Sequence, residues 1–89
     1  MKMLVQTVEV EGQGLESLIG ERVTLFCANY IYAGTLAGVN TTDILLTDAA
    51  IVYETGPFNG TPFKDAQKVA KEWRIRTSAI ESYGVIEGK

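Results

Sequence analysis

The sequence predicts a mainly β fold, a short N-terminal helix followed by five strands in one small domain. Three observations predict it. The stretches 22–28, 31–39 and 44–53 are rich in β-branched and aliphatic residues, and polar positions alternate with apolar ones through the first. Gly34 and Gly38 stand inside the second stretch, where glycine weakens a strand unless the strand must bend or admit another backbone. Finally, 89 residues with 46% apolar content can bury one core but not two.

Each element has its own warrant. Between Gly14 and Gly20, Leu15, Leu18 and Ile19 take helical spacing, and Gly20 is a stop signal. The first strand is expected from Arg22 to Ala28, with Val23, Leu25 and Cys27 on one face. Asn29-Tyr30 turns the chain into a second strand, Ile31 to Val39. A third follows from Ile44 to Tyr53, with a kink expected around Asp48-Ala49-Ala50. Gly56-Pro57, Asn59-Gly60 and Thr61-Pro62 mark a surface loop whose Phe58 and Phe63 need an apolar resting place.

The next segment reads two ways. Ala66, Val69, Ala70 and Trp73 have helical spacing behind Asp65, whereas Trp73, Ile75 and Thr77 alternate with Arg74 and Arg76 as in a strand. The expectation is a fourth strand from Val69 to Ser78, with a helical turn before it left open, and a last strand from Ile80 to Ile86. One domain covers 1–89, with an extra strand-like segment over residues 1–12 and a variable loop over 54–68.

Inventory narrows the function. Without histidine and with one cysteine, the chain has no His-dependent triad, no disulfide framework and no Cys/His zinc site, so neither an enzyme nor a cofactor is expected. The apolar run at the start is too short for a signal peptide or a membrane span, which leads to the expectation of a cytoplasmic protein with Cys27 reduced. The formal charge of −3 is unlike a basic nucleic-acid binder, yet five of the eight basic residues (Lys64, Lys68, Lys71, Arg74, Arg76) fall in one short segment.

The run Gly34-Thr35-Leu36-Ala37-Gly38-Val39, the polar turn Asn40-Thr41-Thr42, and Asp43-Ile44-Leu45-Leu46 resemble the first signature segment of the Sm and Sm-like family. Leu18-Ile19-Gly20 and Val23-x-Leu25 upstream belong to the same likeness, and Ile75-Arg76-Thr77 resembles its second pattern, an aliphatic residue followed by Arg-Gly. The resemblance implies a strongly bent, five-stranded SH3-like barrel. It also implies a homo-oligomeric ring, a hexamer or heptamer, joined by the fourth strand of one subunit and the fifth of the next. Trp73, Ile75, Tyr83 and Val85 are the candidate interface residues.

The resemblance further implies single-stranded RNA at the ring pore. Asn40 falls at the family's aspartate position, Thr42 at the base-stacking position and Asp43 at the base-contacting position; Arg76 is kept, and Thr77 replaces glycine. A threonine lacks the flat surface that contributes about 1–3 kcal/mol per stacked base. Two functional readings therefore stand: RNA binding through Asn40, Thr42, Asp43, Arg76 and Thr77, or an Sm-like structural or protein-interaction module that has lost RNA binding. In the second, residues 1–12 and the Phe58/Phe63 loop are contact surfaces for another protein. An unrelated SH3 or OB barrel is a third possibility.

Plainer roles compete at each position. Asn40 and Asp43 are ordinary turn residues, Arg76 is placed to pair with Glu72 or Glu81, and the lysine cluster suits a solvated face. Trp73 suits core or interface, and Cys27 suits a buried small hydrophobe.

Overall fold

Alternating and β-branched residues carry the chain into five antiparallel strands: β1 (Arg22–Cys27), β2 (Ile31–Val39), β3 (Asp43–Glu54), β4 (Asp65–Arg76) and β5 (Ile80–Gly84). The computed structural model describes residues 14–89; the strand-like segment expected over residues 1–12 lies outside the described residues. The strands form one sheet in the order β4-β3-β2-β1-β5. β4 and β5 are its edges and do not hydrogen-bond to each other, and the sheet is neither closed nor strongly curled, which corrects the strongly bent barrel that the resemblance implies.

The core lies on one face. Val23 and Leu25 of β1, Leu36 of β2, Ile44, Leu46 and Ala49 of β3 and Ile75 of β4 form a single buried cluster, with Leu15 and Leu18 packed against it. The opposite face buries small side chains: Thr24, Ala33 and Ala50 lie in register across β1, β2 and β3 and are all shielded from solvent. Gly34 is required by close approach, because a Cβ there would stand 2.9 Å from the Thr47 carbonyl oxygen and 3.2 Å from Ala49 Cα. At Gly38 the only near atom would be Leu45 Cβ at 3.9 Å, an ordinary contact. The pairing of β2 with β3 shifts register beside both glycines, between Ala33 and Thr35 and between Leu36 and Gly38.

The kink expected in the third strand is present. Asp48 adopts φ 51°, a left-handed conformation that aspartate tolerates better than most residues, and the β3–β4 register shifts between Ala49 and Ala50.

Several expectations need correction. The N-terminal helix is a single 3-10 turn over Leu15–Leu18, and there is no α-helix among the described residues. Four residues without a side-chain N-cap cannot offset the cost of nucleating an α-helix, and Ser17 bonds back to the Gly14 carbonyl instead. β4 begins at Asp65, four residues before the expected start, so 65–68 belong to a strand and not to the loop. Its partners decide this: Val52 pairs with Ala66 and Ile51 with Gln67, which extends the ladder past the ambiguous stretch. β4 and β5 are joined by a second 3-10 turn, Thr77–Ala79, and β5 ends at Gly84 instead of Ile86. Residues 85–89 leave the sheet because Lys89 is anchored to the segment between β3 and β4.

Candidate functional site

The three-residue loop 40–42 joins β2 to β3 and is built around one side chain. Asn40 Oδ1 accepts hydrogen bonds from the Thr42 N–H at 2.8 Å and the Asp43 N–H at 2.9 Å, and the Thr42 hydroxyl lies 3.0 Å away. The Asn40 N–H in turn donates to the Asp43 carbonyl at 3.0 Å. The asparagine thus supplies the turn that the backbone needs, and its oxygen is fully engaged.

The end of β4 is tied to the same loop. The Thr77 N–H donates to the Thr42 carbonyl at 2.9 Å, and its hydroxyl lies 3.0 Å from the Thr41 carbonyl oxygen and 3.3 Å from that of Thr42. In the β3–β4 ladder Asp43 sits opposite Arg76, and Leu45 opposite Arg74. Arg74, Arg76 and Asp43 therefore share the face opposite to Ile44 and Ile75, which are buried.

These residues border a cleft of about 340 Å³ lined by Thr42, Asp43, Arg74 and Arg76. The Arg74 guanidinium reaches Asp43 Oδ2 at 4.0 Å, a long and largely solvated contact that contributes little. Arg76 makes no ion pair among the described residues, so neither Glu72 nor Glu81 holds it. Two flat, permanently charged donors thus face a cleft that also holds one carboxylate and one hydroxyl. Such a set can hold a phosphate or the polar edge of a base, with Asp43 offsetting part of the positive charge.

A second cleft of about 250 Å³ adjoins the first and shares Arg74 and Arg76 with it. Its other walls include Tyr30, Tyr32 and Trp73, with Tyr30 and Tyr32 tilted against each other at a centroid distance of 6.1 Å. Cys27 borders this cleft, and its thiol is pushed up from the ordinary range, first by burial and then by the Glu81 carboxylate. Burial also raises the Tyr32 phenol, with Cys27 adding to the effect.

Of the five residues expected at an RNA site, the structure brings Thr42, Asp43 and Arg76 to one cleft. Asn40 and Thr77 hold its loop in place. Sequence reasoning missed Arg74, whose signal was its position two residues before Arg76 on the same strand face. Of the four interface candidates, Trp73, Tyr83 and Val85 are exposed at 37%, 43% and 54%, whereas Ile75 belongs to the core. The lysine cluster is partly paired: Lys64 meets Glu54 at 3.3 Å and Lys68 meets Asp48 at 3.2 Å.

No protein-family model matches the sequence, and no curated protein matches it closely enough to count as a relative.

Proposed function

We propose that this chain is an Sm-like protein that assembles with copies of itself into a ring and binds single-stranded RNA where loop 40–42 meets the end of β4. The strand order carries the reading. In the order β4-β3-β2-β1-β5, β4 and β5 are left with unpaired backbone edges, and these are the two strands whose pairing between subunits would close a ring. The contact is heterologous, and a hexamer or heptamer is the expected closure. The assembled protein is read as a cytoplasmic binding ring, not an enzyme.

Arg76 is the residue expected to contact RNA most strongly, with Arg74 beside it and Thr42 and Asp43 at the cleft wall. The competing reading, a ring serving as a structural or protein-interaction module, is favoured by the internal commitments of the loop. Asn40 Oδ1 and the Thr77 hydroxyl, two of the groups expected to reach a ligand, are engaged within the chain.

Native mass spectrometry of the purified protein with and without a short uridine-rich RNA separates these readings. A closed oligomer carrying one RNA per ring supports the first. The same oligomer without RNA moves the function to protein contacts, and a monomer at micromolar concentration removes the Sm-like reading.

A further inference from the structure

Lys89 is the one lysine among the described residues that is buried, with 9% of its surface exposed. Burying an ammonium is costly unless it is paired or hydrogen-bonded. Here Nζ donates to the backbone carbonyls of Thr55 and Thr61, both at 2.8 Å. It also lies 4.7 Å from the ring centroid of Phe63 and 5.4 Å from that of Phe58. All four groups belong to the segment joining β3 to β4. Two carbonyl dipoles and two aromatic faces present negative potential to one point, an arrangement that selects a cation over a neutral group.

The backbone on both sides is shaped for this contact. Gly60 and Gly88 both have positive φ, at 89° and 82°, and a Cβ on Gly88 would overlap the Gly60 carbonyl. Only glycine at position 88 lets residues 85–89 lie against the loop. The Arg22 Nε donates to the Lys89 carbonyl oxygen at 2.7 Å, which ties the same residue to the start of β1.

We propose that segment 55–63 is a binding site for a primary alkylammonium ion, occupied within the chain by Lys89, and that the ammonium charge holds this loop in its folded shape. Lys89 then pins the start of β1, the β3–β4 loop and the segment after β5 to one another. Removing the amine frees the loop and leaves the cage open to an ammonium from solution. A guanidinium is a poor substitute, because its planar fork spreads its donors and cannot converge them on two carbonyls between two rings.

Hydrogen exchange of the full chain tests this, comparing the wild type with Lys89→Met and Lys89→Ala. Lys89→Met keeps an apolar stem and loses the charge; exchange over 55–63 is expected to accelerate about tenfold or more while β2 is unchanged. In Lys89→Ala, added n-propylammonium is expected to restore protection of 55–63, whereas n-propanol at the same concentration does not. Wild-type protection in Lys89→Met would overturn the proposal, since packing of the stem would then suffice. Equal rescue by n-propanol, no rescue by n-propylammonium, or acceleration spread evenly through β2 would overturn it as well.

Discussion

Thr77 and Thr42 join the end of β4 to the loop between β2 and β3: the Thr77 N–H donates to the Thr42 carbonyl at 2.9 Å, and the Thr77 hydroxyl reaches the Thr41 carbonyl at 3.0 Å. A threonine where the resembled pattern has glycine is thereby given a structural task. Its hydroxyl replaces freedom of the backbone with a tether across the two elements that border the cleft.

Thr77→Val keeps the side-chain shape and the backbone bond while removing the hydroxyl. The expected loss is about 0.5–1.5 kcal/mol, the net value of one such hydrogen bond, read from urea unfolding. Faster hydrogen exchange at residues 40–42 should accompany it. Equal stability and equal exchange would mean that the backbone bond alone holds the junction.

Asn40→Ala removes the acceptor of two backbone N–H groups, and a loss of about 1–2 kcal/mol is expected, as for a lost cap. Asn40→Asp keeps an acceptor oxygen and should recover most of the stability. A ligand role for Asn40 can therefore be tested with Asn40→Asp, which separates binding from folding.

These two residues show where the sequence was legible. β2 was read with both ends correct because turn residues bracket it, Asn29-Tyr30 before and Asn40-Thr41-Thr42 after. The start of β4 was not, because residues 65–72 are largely exposed and so carry no burial alternation; pairing with the far half of β3 makes them a strand. Arg74 was hidden behind the short motif around Arg76. The Lys89 cage left no local trace either, since its hydrogen-bond partners lie between 28 and 67 residues away in the sequence.

Gly34→Ala tests the reason for a glycine in mid-strand. The new Cβ would press on the Thr47 carbonyl and Ala49 Cα, both backbone, so the strands must part. A loss of about 1–3 kcal/mol is expected from overpacking. Gly38→Ala, with nothing closer than 3.9 Å, should be near neutral, and thermal unfolding of the two variants gives the comparison.

Alkaline pH should weaken the fold through the second cleft. Burial raises the Cys27 thiol and the Tyr32 phenol, so the folded chain holds both protons more tightly than the unfolded chain does. The resulting stability is complete below the ordinary values, about 8.5 for a thiol and about 10 for a phenol, and is lost as pH rises through the higher folded values. The urea midpoint is expected to fall from about pH 9 upward. In Cys27→Ala/Tyr32→Phe the decline should be shallower, and an unchanged slope would show that other groups govern it.

Arg76 carries the sharpest test of the proposed binding site. It faces the cleft with no ion pair among the described residues, so a phosphate would meet a guanidinium that has no carboxylate to release. If it contacts RNA, Arg76→Ala should weaken binding and lower the slope of log affinity against log salt by about one. Arg74→Ala should also weaken binding, and more in low salt than in high, because it removes a second cation and leaves the Asp43 carboxylate less compensated in the same cleft. Fluorescence anisotropy across a salt series measures both. Because side-chain removal at these exposed positions leaves the strand backbone intact, both variants should show the wild-type oligomeric state in native mass spectra. An unchanged oligomeric state with unchanged affinity and slope would exclude Arg76 from the site.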